Sequence, residues 1–518
     1  MFGTRSRLLV VGAASLALAS ACTTPPPPGA PPPDLTEFHD QQVAFEPCGP
    51  FATTSTDEKL FANERLDCAR VQVPLDYDDP DGARGEVALL RIPASGEKIG
   101  SLFVNPGGPG GSGMNFVATM ASANPLWTDG LLGQRFDIIG FDPRGVGASS
   151  PQVDCFTDAD NDDRAAGFDN ALDPHGAASE EHAQEIMQRC AESAGGEDAL
   201  TSIGTREVAR DVDVLREVLG DEKLTFLGYS YGTELGGVYA EAFPEKVRAL
   251  VLDGAVSPGQ TPDEMTIGQA VAAQEGFGRL AEECAKAPDC PLGTDPALAT
   301  ERFQALTRPL VDQPAPTADG RGLGYNDAIT AAATGMRAEA LLPQLIDGLT
   351  ELAEGRGDIL LALRDQMTGR GPDGRYNGLM EDFLAIRCMD WPRRSPAEQT
   401  ELNRRLREAA PFMDDGRPVE QSHHACEAWP KPPSRTGPWL AADVAGLPPT
   451  LTVSTTGDIA TPYQAGVELA DALGGGLLTV EGEQHGVSLV GSNACIDDTV
   501  LAYLVDLRTP PEGARCVL

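Results

Sequence analysis

The sequence predicts an α/β protein, a mostly parallel central sheet with helices on both faces, interrupted by an inserted helical unit. Three observations carry that prediction. Ser101–Val104, Leu224–Leu227, Val247–Asp253 and Thr450–Thr455 are apolar runs of strand length, the pattern of strands buried on both faces. Several of them open into a glycine-containing loop and then helical periodicity, the rhythm of βα units. From about Ser257 to Gly446 that rhythm stops. Helical segments such as Thr266–Ala285 and Leu341–Ala353 alternate there with Pro/Gly-rich loops such as Gly369-Arg370-Gly371-Pro372-Asp373-Gly374, most simply a helical cap inserted into one α/β core.

Taken in order, the chain starts with Arg5, Arg7 and an apolar run from Leu8 to Ala21, too short for a bilayer and suited to a signal-peptide core. Leu18-Ala19-Ser20-Ala21-Cys22 sets small residues before a cysteine, as in a bacterial lipobox, with alanine where leucine is usual three places before it. The expectation is a signal peptide over 1–21 and a lipid-modified Cys22, with plain secretion as the alternative. A proline-rich linker over 22–40 follows. Its Thr23–Pro33 stretch is almost all proline and reads as a polyproline II stalk. The core is then expected in two parts, 41–256 and 447–518, around a cap at 257–446. No later apolar stretch is long enough to cross a membrane, so membrane association is expected only through Cys22, on the outer face of the cell membrane or in the envelope.

Removing Cys22 from the 11 cysteines leaves an even set, which in an exported protein reads as a disulfide framework. The cysteines fall as local couples, predicting Cys48–Cys68, Cys155–Cys190, Cys284–Cys290, Cys388–Cys426 and Cys495–Cys516. No C-x-x-C or paired Cys/His spacing suggests a metal. With 78 acidic against 39 basic residues and a formal charge of −39, the surface repels phosphate backbones, so nucleic acid is not an expected partner. A monomer is expected.

Val71–Asp76 and Glu86–Pro93 read as a hairpin. Ser101–Val104 then opens into Asn105-Pro106-Gly107-Gly108-Pro109-Gly110-Gly111-Ser112-Gly113. Gly108, Gly110 and Gly113 match a dinucleotide fingerprint letter for letter, but no Gly-Lys-Ser/Thr of a phosphate loop is present, and no cofactor is expected. The favoured reading is an oxyanion loop, whose bare backbone amides approach a reacting carbonyl. After the strand Arg135–Phe141, Asp142 and Arg144 are expected to pair beneath that loop.

The helix Arg206–Leu219 places Val208, Val212, Leu215 and Leu219 on one face, and the strand Leu224–Leu227 ends at Gly228-Tyr229-Ser230-Tyr231-Gly232. Glycines flanking a serine between strand and helix are the layout of a nucleophile elbow, which holds the hydroxyl clear of its neighbours and within reach of a base. Gly457-Asp458 follows the strand at Thr450–Thr455, and His485 follows the last strand, Leu477–Val480. In an α/β-hydrolase the order is nucleophile, acid, histidine, and His485 is the one histidine after Asp458. The expected roles are Ser230 as nucleophile, His485 as base and Asp458 as the acid orienting it, with the amides of Gly108 and Tyr231 as oxyanion hole. Asp253, which also ends a strand, is the alternative acid.

Asn105-Pro106-Gly107-Gly108-Pro109-Gly110, Asp142-Pro143-Arg144-Gly145-Val146-Gly147, Gly228–Thr233, Asp458-Ile459-Ala460-Thr461-Pro462 and Gln484-His485-Gly486 resemble the exported tripeptidyl-aminopeptidase relatives of proline iminopeptidase. The likeness runs from about Cys48 to the C-terminus. It implies a capped α/β-hydrolase that clips short peptides from free N-termini, with Ser230, Asp458 and His485 at the family's triad positions. An exopeptidase of this kind must meet the substrate ammonium with carboxylate; Asp390 and Glu381 in the cap are the candidates, and Thr461 is a candidate to line the site. An esterase or lipase of the same fold, or a non-catalytic peptide-binding lipoprotein, are the alternatives.

Overall fold

A computed structural model of the chain describes residues 33–164, 176–434, 439–440, 444–491 and 493–518. The expected signal peptide, Cys22 and nearly all of the proline stalk lie outside them. The last part of the expected linker is already folded, because Thr36–His39 forms a helical turn whose Phe38 is buried in the core.

The centre is a ten-stranded sheet. Its strands are β1 (Glu46–Pro47), β2 (Asp67–Pro74), β3 (Arg84–Ile92), β4 (Gly100–Asn105), β5 (Phe136–Asp142), β6 (Leu224–Tyr229), β7 (Val247–Asp253), β8 (Leu451–Thr455), β9 (Gly476–Glu481) and β10 (Arg515–Val517). Their spatial order is β1-β2-β3-β5-β4-β6-β7-β8-β9-β10. The first three strands and the β3–β5 pair are antiparallel, and every pairing from β5 through β4 to β10 is parallel. Strands β5, β6 and β8 are buried along their whole length, as central strands of a sheet covered on both sides are, even though β5 carries Asp137 and Asp142 and β8 carries Thr452, Ser454 and Thr455.

The pleat sorts successive residues to opposite faces. Phe103, Phe141, Phe226 and Leu252 pack with Val208, Val212 and Leu215 of α2 (Thr205–Val218) and with Leu235 and Tyr239 of α3 (Tyr231–Ala242). Leu102, Val104, Leu227 and Val251 pack on the other side, against Met114 and Val117 of α1 (Gly113–Ala123) and Val500 and Leu504 of α8 (Ala494–Asp506). Between β7 and β8 the chain runs through helices that hold a third apolar cluster, in which Phe277 stacks on Phe412 with ring centroids 4.8 Å apart. They include α4 (Pro262–Cys284) and α5 (Tyr325–Gly335), whereas α6 (Leu379–Asp390) buries Leu384, Ile386 and Met389 with Phe103 and Phe226 in the core on the sheet; α7 (Tyr463–Leu473) returns the chain to the sheet. Thr261 and Glu264 form a reciprocal cap at the start of α4, with Pro262 at its first position, where a missing amide costs nothing.

Disulfides join Cys48–Cys68, Cys155–Cys190, Cys284–Cys290, Cys388–Cys426 and Cys495–Cys516. One expected contact is corrected. Arg144 does not pair with Asp142; its guanidinium is buried against Asp211 of α2, with Nε 2.7 Å from Oδ2, and also donates to the carbonyls of Pro74, Leu75 and Ser202. Asp142 instead accepts the Ser112 hydroxyl at 2.6 Å and the amides of Met114 and Ala148. It thereby ties the end of the glycine loop to β5, and its burial pushes the carboxyl up to about 6. Among the described residues no helix is long and apolar enough to cross a membrane.

Candidate active site

The strands β4, β6, β8 and β9 deliver their following loops to one end of the sheet, where an open α/β sheet offers its crevice. Ser230 sits between β6 and α3 with φ 54° and ψ −122°, a conformation a residue with a Cβ adopts only under tertiary constraint. Its amide donates to the Asp253 carbonyl at 2.9 Å, and its carbonyl accepts the Thr233 amide at 2.8 Å. A side chain at Gly228 would run into the Gly232 backbone, and one at Gly232 would meet Asn105. Both glycines are therefore required for the turn to close.

The loop after β8 presents Asp458, 4 % exposed. Its Oδ1 accepts the amides of Ala460 and Thr461 at 2.8 and 3.0 Å, and its Oδ2 accepts the Thr461 hydroxyl at 2.8 Å and meets His485 Nδ1 at 2.8 Å. Burial alone would raise this carboxyl; the histidine and the Thr461 bonds outweigh it and hold the pKa below the usual aspartate value. Asp458 is thus an anion aimed at the imidazole.

His485 is pinned from several directions. Its amide donates to the Arg337 carbonyl at 3.0 Å. The ring lies over Gly254, where a Cβ would stand 3.1 Å from Cε1. The following residues are anchored to the core: the amides of Val487 and Ser488 reach Asp253 Oδ2 at 2.8 and 2.6 Å, Tyr229 donates its hydroxyl to the Ser488 carbonyl at 2.6 Å, and Trp127 Nε1 reaches the Leu489 carbonyl at 2.8 Å. Asp253, the alternative acid, is thereby engaged with backbone amides; the imidazole bond belongs to Asp458.

Ser230, His485 and Gly108 line one cavity of about 400 Å³. The glycine loop crosses it closely. Gly107 has φ 93°, and a Cβ there would meet the Tyr229 carbonyl and stand 2.9 Å from Ser230 Cβ and 3.1 Å from the Tyr231 amide nitrogen. Tyr231 opens α3, so its amide is one of those a helix leaves without an internal partner. Above, the wall comes from the helices between β7 and β8: Met380 and Phe383 of α6, Thr266 and Gln269 of α4, Thr330 of α5, and Arg337. The sequence reading passed over these wall residues, because nothing in local spacing marks them.

Three candidates lie elsewhere. Asp390 is 2 % exposed beneath Tyr231, accepting the Thr205 amide at 3.1 Å, the Thr205 hydroxyl at 2.5 Å and the Ser434 hydroxyl at 3.2 Å. Tyr231 continues that chain, its hydroxyl 2.5 Å from Thr205 Oγ1. Glu381, also 2 % exposed, accepts the amides of Cys155 and Phe156 and the Asn161 side chain, tying α6 to the 155–161 segment; burial pushes it up to about 7. Neither acid faces the cavity, so neither is placed to hold a substrate amine. Thr461 turns its hydroxyl to Asp458, and Ile459 and Ala460 line the cavity from that loop.

The alpha/beta hydrolase fold profile matches residues 100–491. The chain is similar to serine protease Hip1 of Mycobacterium tuberculosis, 45 % identical with 87 % of each chain covered. It is 40 % identical to carboxylesterase B of the same species, covering 87 % of this chain and 86 % of that one. Tripeptidyl aminopeptidase of Streptomyces lividans is 32 % identical over 87 % of this chain and 83 % of its own length. A sheet of this strand order, a serine on the turn after β6, and a match spanning most of the sequence agree with one another: the chain belongs to the α/β-hydrolase family.

Proposed function

We propose that the chain is a serine peptidase that releases short peptides from free N-termini, with Ser230, His485 and Asp458 as its triad. The observation carrying this reading is the 2.8 Å bond between His485 Nδ1 and Asp458 Oδ2 at the edge of the cavity that Ser230 enters. Ser230 Oγ attacks the scissile carbonyl carbon while His485 Nε2 takes its proton. The amides of Gly108 and Tyr231 receive the oxyanion. The C–N bond then breaks as His485 returns the proton to the leaving amine, and water repeats the sequence on the acyl-enzyme to release the acid. Asp458 keeps the imidazole in the productive tautomer and stabilises its cation. The aminopeptidase part draws on the similarity to a tripeptidyl aminopeptidase and on a cavity of about 400 Å³, room for only a few residues.

Export to the cell envelope fits the disulfides, which persist in oxidising compartments; lipidation at Cys22 and a monomeric state remain part of the same proposal. An esterase reading has two observations in its favour: the 40 % identity to carboxylesterase B, and a cavity lined by no aspartate or glutamate among the described residues, leaving an ammonium without a carboxylate there. Fluorophosphonate labelling of wild type and Ser230→Ala, followed by turnover of matched free and N-acetylated peptide amides and a simple ester, decides. Labelling confined to Ser230 with cleavage of free-amine peptides only supports the aminopeptidase. Equal cleavage of both peptides, or of the ester alone, rejects it.

A further inference from the structure

Arg337 stands just beyond the C-terminus of α5 and is one of the residues lining the cavity shared by Ser230 and His485. Among the described residues no carboxylate lies within ion-pair distance of it. Three other arginines of the same helical region are paired: Arg279 with Glu483 at 2.8 Å, Arg364 with Asp327 at 3.2 Å, and Arg387 with Glu234 at 3.0 Å. Asp458 is close enough to act on Arg337 electrostatically, but its oxygens are taken by His485, Thr461 and the Ala460 amide. Burial pulls the guanidinium below its usual pKa, yet arginine starts so high that it stays charged.

Among the described residues, the cavity therefore holds a permanent cation, no lining acid, and a wall of Leu379, Met380, Phe383, Leu406 and Met413. A planar fork of donors in a partly dry, apolar setting is matched by the two oxygens of a carboxylate. We propose that Arg337 receives a carboxylate of the substrate, making it a specificity residue for anionic substrates. The carboxylate is either the C-terminus of a short peptide or the side chain of an acidic residue beside the scissile bond. The proposal rests on the Ser230 peptidase reading and adds a charge requirement to it.

The test compares kcat/KM for short free-amine peptides differing in one group, C-terminal carboxylate against amide, and Glu against Gln at each position, in wild type, Arg337→Gln and Arg337→Lys. Wild type should favour one anionic member by about tenfold or more, the scale of a hydrogen-bonded charge pair, mainly through KM. Which pair shows the preference tells the C-terminal source from the side-chain source. Arg337→Gln should erase the ratio, and Arg337→Lys should restore part of it, because lysine keeps the charge without the fork. No anionic preference in wild type, or an unchanged preference in Arg337→Gln, overturns the proposal. Labelling of Ser230 in the same preparations separates this failure from failure of the peptidase reading, since a labelled enzyme with no charge preference loses only the role of Arg337. Should Arg337→Gln not fold, Arg337→Lys decides: a reduced anionic preference supports the role, and an unchanged one rejects it.

Discussion

Thr461 donates its hydroxyl to Asp458 Oδ2 at 2.8 Å, the same oxygen that faces the imidazole of His485. The hydroxyl also stands 3.2 Å from His485 Nδ1, so it helps fix where the carboxylate points. Thr461→Val keeps the shape and removes the bond. Its kcat should fall about tenfold, the worth of one hydrogen bond to a charged group, while Thr461→Ser stays close to wild type. Steady-state kinetics with thermal melts checks this, and a parallel loss of fold would assign Thr461 to stability alone.

Removing a triad member should cost far more. Ser230→Ala is expected to lower kcat by roughly 10⁶-fold and Asp458→Asn by roughly 10⁴-fold, with circular dichroism unchanged. Asp253→Asn acts on the His485 loop only through backbone amides and should do less. An Asp253→Asn variant as inactive as Asp458→Asn would reassign the acid.

Gly107 has no room for a side chain, because Ser230 Cβ and the Tyr231 amide lie within about van der Waals distance of where it would go. Gly107→Ala adds that clash to a positive φ of 93°, itself worth about 1–2 kcal/mol of strain. The loop must then shift away from the elbow. Activity should drop at least about a hundredfold at unchanged disulfide content, measured as turnover and free-thiol titre.

Glu381 gives a pH prediction. Its carboxyl, pushed by burial to about 7 from the model-peptide value of 4.5, holds its proton in the folded chain at pH values where the unfolded chain has released it. Stability from this residue is therefore complete below about 4.5 and declines as pH rises through about 7. Glu381→Gln does not titrate, so its stability relative to wild type should improve between pH 5 and pH 8, by on the order of 3 kcal/mol at full titration. Denaturant melts at the two pH values test it, and a pH-independent difference would refute it.

The triad candidates were legible because each directly follows an apolar strand: Ser230 after β6, Asp458 after β8, His485 after β9. A parallel sheet brings such positions to one edge whatever lies between them. Asp390 and Glu381 were misplaced for the opposite reason. On a helix buried on nearly every side, sequence shows that an acid is present but not which neighbour it serves, and both serve backbone amides at 205 and 155–156. Arg337 left one trace, a lone cation closing the uncharged stretch Ala328–Met336. Strand β10 is three residues long, too short for periodicity to register.

Asp253 has a further consequence. Its carbonyl holds the Ser230 amide, and its carboxylate holds the amide of Ser488, 235 positions further along the chain. The spacing between elbow and histidine loop is thus set across a single residue of the sheet instead of accumulating through the long excursion between them. The sheet holds the reacting atoms in register from beneath, while the Arg337 carbonyl, bonded to the His485 amide, fastens the same loop to the roof of the cavity.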